Sequence, residues 1–220
     1  MRMTDAPRNR VAGAGGLYLV LTEPLIPHRV LVEHAVERGV RFVQLREKSL
    51  TDRQLLRLAG SLRDITSGST TLLIINDRAD IAAAVEADGV HVGPQDIDVT
   101  SARRIVGGDA IVGVSTNTLT QAESAPGSGA DYVAVGPVFP TTTKVDARPP
   151  IGLDGVTDRA RAVGSFPMVA IGGIDAANAP DVIAAGADLV AVVSAICRAP
   201  DPLGAIDSFL AAISETENGR

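Results

Sequence analysis

Residues 71–93 read TLLIINDRADIAAAVEADGVHVG, and this stretch contains the unit that decides the fold. It opens with a Leu- and Ile-rich run, Thr71–Ile75, continues through an amphipathic segment, Arg78–Ala87, and ends with a second apolar run, Gly89–Val92. Short apolar runs bounded by Gly and polar turns are typical of strands that are buried on both faces. The stretch therefore predicts a strand, a helix and a second strand.

The same alternation continues along the chain in both directions. The predicted strands are Leu17–Thr22, Phe42–Leu45, Thr71–Ile75, Gly89–Val92, Ala110–Val114, Tyr132–Val135, Met168–Ile171 and Leu189–Val193. The predicted helices are Arg29–Arg38, Asp52–Ile65, Arg78–Ala87, Thr100–Val106, Leu119–Ala125, Gly155–Val163, Ala177–Ala185 and Leu203–Ile213. Eight strand–helix units without a break in composition predict an α/β fold, a single (β/α)8 TIM barrel. The alternative is an open doubly wound sheet, although no Gly-x-Gly-x-x-Gly follows the first strand.

The predicted barrel domain extends over residues 17–214, between two tails that we expect to be flexible, residues 1–16 and 215–220. The first 16 residues carry charge, Pro and Gly but no apolar core, which is unlike a signal peptide, so a cytoplasmic location is expected. No apolar run reaches the ~18 residues that a membrane span needs.

Composition excludes several classes of protein. The net charge of -6 and the aromatic content of 3%, with no Trp, argue against a nucleic-acid binder. A lone cysteine, Cys197, excludes a disulfide framework and a Cys-based zinc site. Lysine occurs only at Lys48 and Lys144, and both follow predicted strands.

Catalytic residues of a (β/α)8 barrel lie at the C-terminal ends of the strands or in the loops that follow them. These positions are occupied here by Gln44–Lys48, Asn76 and Asp77, Asp96, Ser115, Thr141–Lys144, Gly172 and Gly173, and Ser194. Arg46 and Lys48 have the same parity along the chain, so both could face one anionic ligand. The glycines after strand 7, together with Val193 and Ser194, predict a phosphate site, although Gly172 and Gly173 could simply turn the chain.

Asp77 and Asp96 follow neighbouring strands and form a pair of hard oxygen ligands that would suit Mg²⁺. The alternative is that Asp77 caps the next helix, while Asp80 and Asp98 are expected to face solvent. The segment 141–152 spans the longest gap between strands and predicts a lid that carries binding groups, unless it is an ordinary loop. His91, within strand 4, is interpreted as a hydrogen-bonded interior residue, and no Ser-His-Asp, Cys-His or His-based metal set is found.

Seven strings in this sequence resemble those of the thiamine phosphate synthase family, in the family's order, between about Leu17 and Ile213. They are QLREK (44–48), INDR (75–78), GVHVG (89–93), GVST (113–116), GPVFPTTTK (136–144), IGGI (171–174) and VSAI (193–196). Each string alone is weak, but seven in register on a barrel pattern are specific. Pro94 departs from the family, which often has Gln there, and no expected role depends on that position.

The resemblance implies a function and a role for each matching residue. The implied reaction is the coupling of hydroxymethylpyrimidine diphosphate with a thiazole phosphate, through a pyrimidine carbocation, to give thiamine phosphate and diphosphate. Implied ligands of the pyrimidine diphosphate are Gln44, Leu45, Arg46, Glu47, Lys48, Asn76, Ser115 and Lys144, among which Arg46, Lys48, Ser115 and Lys144 would be catalytic. Implied ligands of the thiazole phosphate are Thr141, Thr142, Thr143, Gly173, Val193 and Ser194. Asp77 and Asp96 would hold Mg²⁺ on the diphosphate.

Three alternatives to this function were weighed. A thiazole tautomerase of the same fold would lack the diphosphate and metal set, which is present here. A non-catalytic phosphate-ligand barrel would need an output domain, and a sugar-phosphate isomerase or aldolase would need a Glu or His base or a Schiff-base lysine. The expected partners are therefore small-molecule substrates, without nucleic acid or membrane, and an exposed apolar helix face could support a homo-oligomer.

Overall fold

The structure, a computed structural model, describes residues 7–12, 15–141 and 148–217, with side chains described as far as Ser214. Eight parallel strands form a closed barrel in chain order, and β1 pairs with β8 to complete it. The strands are β1 Gly16–Leu21, β2 Phe42–Leu45, β3 Leu72–Asn76, β4 Gly89–Val92, β5 Ile111–Thr116, β6 Tyr132–Val135, β7 Met168–Ile171 and β8 Leu189–Val192. The predicted (β/α)8 barrel is confirmed, and β2, β4, β6 and β7 begin and end at the predicted residues.

Helices surround the barrel in the predicted order. They are α1 Pro7–Val11, α2 His28–Glu37, α3 Asp52–Thr66, α4 Ala79–Ala84, α5 Val99–Val106, α6 Leu119–Ser124, α7 Gly152–Val163, α8 Ala179–Ala184, α9 Ser194–Cys197 and α10 Pro202–Glu217. Within the described part of the chain, none is long and apolar enough to cross a membrane.

The two faces of the strands pack into two separate apolar clusters, to which β4 contributes on the outer side alone. Leu19, Val43 and Leu45 belong to the cluster between the barrel and its helices. Tyr18 and Phe42 belong to the second cluster, inside the barrel. Because side chains alternate along a strand, Gln44 shares the inward direction of Phe42. Strand parity thus determines which side chains after β2 can reach the mouth of the barrel.

The N-terminal segment differs from the predicted flexible tail over 1–16. Pro7–Val11 forms a helix in which Val11 is fully buried against the interior cluster of the barrel. Arg10 forms an ion pair of 2.6 Å with Asp88, which directly precedes β4. Helix α1 therefore covers the N-terminal end of the barrel, opposite the strand ends that carry the predicted site. At the other end of the chain, α10 continues to Glu217, past the predicted boundary at residue 214.

Candidate active site at the C-terminal ends of the strands

A cavity of about 390 Å³ opens at the C-terminal ends of the strands, a size suited to a small-molecule ligand. Most of the predicted site residues line it. They are Gln44, Arg46, Lys48, Asn76, Asp77, Asp96, Ser115, Thr141, Gly173, Val193 and Ser194. These residues come from seven different strand ends and converge because a parallel barrel brings all its C-terminal ends to one face.

Two of the predicted ligands, Leu45 and Glu47, point away from this cavity. Leu45 is 1% exposed and packs in the outer apolar cluster. The Glu47 carboxylate accepts hydrogen bonds from the Glu23 backbone N–H at 2.6 Å and pairs with His28 Nε2 at 2.7 Å. Alternation along the strand thus sends Arg46 and Lys48 into the mouth and leaves Glu47 to anchor the loop after β1. The predicted contiguous range 44–48 took no account of this alternation, and the structure places the side chains of Leu45 and Glu47 outside the cavity.

Three further predicted residues, Thr142, Thr143 and Lys144, lie outside the described residues. The segment that contains them is held on both sides by described backbone contacts. Ile151 and Gly152 donate backbone hydrogen bonds to the carbonyls of Pro137 and Val138, at 2.8 and 3.0 Å. The chain therefore returns to the point from which it left the barrel, beside the cavity.

Asp77 and Asp96 form the carboxylate pair of the cavity mouth. Burial and the neighbouring Asp96 carboxylate raise the pKa of Asp77 above its ordinary value, against the opposing effect of Lys48. Lys48 Nζ lies 3.5 Å from Asp77 Oδ2. A partly buried carboxylate beside a second one creates a demand for a cation, which Lys48 meets in part.

The backbone at Asp77 rules out the alternative role of this residue as a helix cap. Asp77 has a left-handed φ of 62°, and the N-cap of α4 is Arg78, which makes no side-chain capping bond. The Asp77 N–H instead donates to the His91 carbonyl at 2.8 Å, which ties the residue to β4. A non-glycine residue in this region of φ is strained, and such strain is concentrated at functional sites. The expected solvent-facing carboxylate of Asp98, by contrast, caps α5 through the Ser101 N–H at 2.7 Å.

The donor set of Asp77 and Asp96 fits Mg²⁺. Two carboxylate oxygens are the usual protein contribution to a Mg²⁺ that completes its octahedron with substrate phosphate oxygens and water. Arg46 and Lys48 line the same mouth and would neutralise the remaining charge of such a substrate.

The two glycines after β7 hold the base of the β6–α7 loop as well as turning the chain. Gly172 and Gly173 have φ values of 106° and 66°, and a Cβ on Gly173 would lie 2.6 Å from the Pro140 carbonyl oxygen. Phe139 donates its N–H to the Gly172 carbonyl at 2.9 Å. Next to them, α9 begins at Ser194 directly after β8, in the position of the short extra helix that binds phosphate in many barrels.

Sequence reasoning missed three polar groups in the floor of the cavity and one at its rim. Tyr18 and Tyr132 were not considered, and His91 was assigned to the interior without a connection to the site. All three line the cavity, together with Arg148 at its rim. His91 is hydrogen-bonded as expected, to Tyr132 at 2.9 Å and to Ser115 at 2.8 Å. The available signal was that the chain has two tyrosines and that each lies within a predicted strand.

Comparisons with known proteins agree with this geometry. A family model described as thiamine monophosphate synthase matches residues 17–196. The chain is 50% identical to the thiamine-phosphate synthase of Chloroflexus aurantiacus over 190 residues, which cover 86% of this chain and 87% of that protein. It is 42% identical to the thiamine-phosphate synthase of a Roseiflexus species over 212 residues, covering 95% and 89%.

Solved structures give the same result. The thiamine phosphate pyrophosphorylase from Pyrococcus furiosus superposes with a TM-score of 0.84 at 36% identity, over 95% of this chain and 98% of that one. A 3-hexulose-6-phosphate synthase superposes with a TM-score of 0.68 at 22% identity, which shows a shared fold and nothing further.

Proposed function

This chain belongs to the thiamine monophosphate synthase family and is a transferase with thiamine-phosphate synthase activity, and from this premise we propose how its own residues carry out the reaction. The proposed reaction is the Mg²⁺-dependent coupling of 4-amino-5-hydroxymethyl-2-methylpyrimidine diphosphate with a thiazole phosphate. The observation that carries the proposal is the Asp77–Asp96 pair beside Lys48 at the cavity mouth.

The diphosphate would bind at the side of the mouth formed by β2, β3 and β4. Arg46 offers a planar fork of donors and Lys48 a compact ammonium, and both line the cavity. Asp77 and Asp96 would hold the Mg²⁺, which when bound supplies positive charge to the departing diphosphate. Lys48, whose Nζ lies 3.5 Å from Asp77 Oδ2 and whose side chain is largely exposed, could turn its ammonium to the phosphate. Lys144 is proposed to add a further charge.

The pyrimidine ring would lie deeper, over Gln44, Asn76 and Ser115. Gln44 is 5% exposed, and Ser115 and Asn76 are half-buried at the ends of β5 and β3. Their amide and hydroxyl groups can match the donors and acceptors along the edge of an aminopyrimidine. This would fix the ring while the exocyclic carbon reacts.

The thiazole phosphate would bind on the opposite side of the mouth. Gly173, Val193 and Ser194 surround the ends of β7 and β8 and line the cavity, together with Thr141. Thr142 and Thr143 are proposed to contribute hydroxyl and backbone donors from the same loop. The two anionic groups would thus be held apart, with the thiazole nitrogen directed at the pyrimidine carbon.

The chemistry needs no protein nucleophile. The bond between the exocyclic carbon and the diphosphate oxygen breaks, and the electron pair leaves with the diphosphate. The lone pair of the thiazole nitrogen then forms the new carbon–nitrogen bond. Arg46, Lys48, Ser115 and Lys144 would stabilise the leaving group and align the cation, which is electrostatic and positional catalysis.

A coupling assay tests the proposal. Purified protein mixed with both substrates should form thiamine phosphate and diphosphate with Mg²⁺ and lose that activity with excess EDTA. Product formation that is unaffected by EDTA would contradict the metal assignment and leave the coupling intact. No product under any of several divalent metals would contradict the reaction itself.

Location and assembly are further proposals of ours. We propose a cytoplasmic enzyme that self-associates through exposed apolar side chains of α2 and α3, such as Val30 and Leu56. Sedimentation velocity on the full chain would test the second point, since a monomer at micromolar concentration would contradict it.

A further inference from the structure

Five polar side chains from five strands form a continuous chain of hydrogen bonds across the barrel floor. Gln44 Nε2 donates to the Tyr18 hydroxyl at 2.8 Å, and the hydroxyls of Tyr18 and Tyr132 are 2.9 Å apart. The Tyr132 hydroxyl lies 2.9 Å from His91 Nδ1, and His91 Nε2 lies 2.8 Å from Ser115 Oγ. The chain begins and ends at residues assigned to the pyrimidine substrate, and its three inner members have no role in the reaction described above.

The barrel is built to accommodate this relay, defined as Gln44–Tyr18–Tyr132–His91–Ser115. Tyr18 and Tyr132 are each 1% exposed, which is costly for a hydroxyl without a partner. A Cβ on Gly113, the register partner of Tyr132 on β5, would overlap the Tyr132 ring, so only glycine leaves room for the ring there. The Tyr132 ring also stacks on the His91 ring, with a centroid distance of 5.5 Å.

The number of protons along the relay gives it a direction. An amide NH₂ group can only donate, so the Tyr18 oxygen accepts from Gln44 and its single hydrogen goes to Tyr132. The Tyr132 hydrogen then goes to His91 Nδ1. A neutral imidazole that accepts at Nδ1 carries its proton at Nε2, and that proton goes to Ser115 Oγ. The Ser115 hydrogen has no acceptor left within the relay, and Ser115 faces the cavity.

We propose that Tyr18, Tyr132 and His91 are positioning residues whose directed hydrogen bonds make Ser115 a donor to the pyrimidine substrate and turn the Gln44 carbonyl towards the same ring. The inference rests on the proposed roles of Gln44 and Ser115 in substrate binding. The floor of the site therefore presents one donor and one acceptor, which matches a ring nitrogen beside an amino group. Burial raises the pKa of both phenols well above the ordinary value, so each keeps the proton that the relay requires.

The tautomer of His91 tests the direction of the relay without any activity measurement. Nitrogen-15 NMR of the full chain, with histidine labelled in both ring nitrogens, should find the His91 proton at Nε2 and none at Nδ1. The chain has three histidines, so His91→Gln assigns the signal by its loss. A proton at Nδ1 in the unmodified protein, alone or together with one at Nε2, would overturn the proposed direction.

Tyr132→Phe tests the function of the relay, because it deletes one hydroxyl and keeps the ring that packs on Gly113. We expect kcat/KM for the pyrimidine diphosphate to fall roughly tenfold, the effect of one lost buried hydrogen bond. KM for the thiazole phosphate should not change.

Thr71→Val is the matched control. Thr71 is 2% exposed and donates to the Val40 carbonyl at 2.8 Å at the N-terminal end of β3, so the variant loses a buried hydroxyl bond far from the cavity. It should lose a similar amount of stability and keep its kinetic constants. Equal kinetic losses in Thr71→Val and Tyr132→Phe would reduce the effect of Tyr132 to general destabilisation and overturn the proposal.

A double-mutant cycle shows whether Tyr132 acts through Ser115. In a Ser115→Ala background, Tyr132→Phe should change kcat/KM by less than about twofold, because the group that it positions is gone. Independent, multiplying losses would contradict the relay. Full activity in Ser115→Ala alone would contradict the proposed role of Ser115 in substrate binding. A His91 proton at Nδ1 would contradict the relay, but it would leave the proposed coupling reaction untouched.

Discussion

At the scale of single residues, the structure places an unfavourable arrangement at Asp77. The residue has a left-handed backbone, a carboxylate neighbour in Asp96 and a raised pKa, and each of these costs folding free energy. Asp80, three residues later, is an ordinary surface carboxylate paired with Arg78 at 2.7 Å. The two positions therefore form a natural comparison between a functional carboxylate and a structural one.

Asp77→Ala should lower kcat/KM for the pyrimidine diphosphate by roughly 100-fold or more, because the proposed Mg²⁺ site loses one of its two carboxylates. Asp80→Ala removes an exposed ion pair and should stay within about twofold of the unmodified protein. Steady-state assays at several Mg²⁺ concentrations measure both. If the two variants lost activity equally, the metal assignment would be wrong.

Asp77→Asn should stabilise the metal-free protein while it inactivates the enzyme. Since the folded-state pKa of Asp77 is raised, its ionised form costs stability above that pKa, and the cost vanishes below the ordinary carboxyl pKa. We expect Tm in EDTA at neutral pH to rise by about 1–3 °C, with the gain fading as the pH falls below the range of ordinary carboxyl groups. Asp80→Asn should lower Tm or leave it unchanged, because Arg78 lowers the pKa of Asp80. A neutral-pH Tm that fell in Asp77→Asn would contradict this balance.

At the scale of elements, α1 stabilises the barrel from the end opposite the site. Val11 packs on the interior cluster, Arg10 pairs with Asp88, and Arg8 lies 4.7 Å above the Phe166 ring. All these partners lie at or near the N-terminal ends of strands. The helix can therefore affect stability without any contact with substrate.

Val11→Asp should lower the free energy of unfolding by roughly 2–4 kcal/mol, because it places an unpaired carboxylate in an apolar site or displaces α1. Leu119→Asp, on α6 at a position that is 38% exposed, should cost much less. Urea unfolding measures the difference, and kcat of folded Val11→Asp should be unchanged. A loss of kcat in the folded variant would show that α1 influences the site after all.

The β6–α7 loop is the second element whose effect can be tested separately, here as an effect on substrate binding apart from stability. Gly173→Ala should raise KM for the thiazole phosphate about tenfold or more, because its Cβ would press on Phe139 and Pro140 at the base of the loop. Gly164→Ala is the matched control, since Gly164 has a similar φ of 62° and open space around it. Both variants should lose about 1 kcal/mol of stability from the strained φ. Equal KM values in the two would argue against a specific role of the loop base.

At the scale of the whole molecule, the fold could be predicted because the alternation of strand and helix extends along almost the whole chain. An error in the bounds of one element does not change that pattern. The bounds of β2 and β6 follow directly from their Gly and polar boundaries. Helix α1 could not be predicted, since Pro7–Val11 is too short and polar to show an amphipathic period, and its only deeply buried side chain is Val11. Its stability comes from the barrel that it covers.

The cavity-lining residues that come directly after strand ends were predicted. Those within strands were missed, because identifying them requires knowing which side chains point into the barrel. Asn76, Asp77 and Ser115 follow from position alone. Tyr18 and Tyr132 lie in runs that are apolar on both faces, so the sequence carries no sign of which side chains point inward. Leu45 and Glu47 show the reverse case: they belong to a matching string, but membership of a string does not determine the direction of a side chain, and both side chains lie outside the cavity.

The cover that α1 forms also affects the order in which substrates bind and product leaves. Val11 and the aromatic rings of Tyr18 and Phe42 pack in the interior cluster, and among the described residues the cavity opens at the C-terminal strand ends. The pyrimidine is proposed to bind over Gln44 and Ser115, deeper in the cavity than the thiazole phosphate. We therefore expect the pyrimidine diphosphate to bind first and the thiazole phosphate second. The joined product would occupy both proposed positions at once, so we expect product release to be slower than the coupling step, which a pre-steady-state burst of product would show.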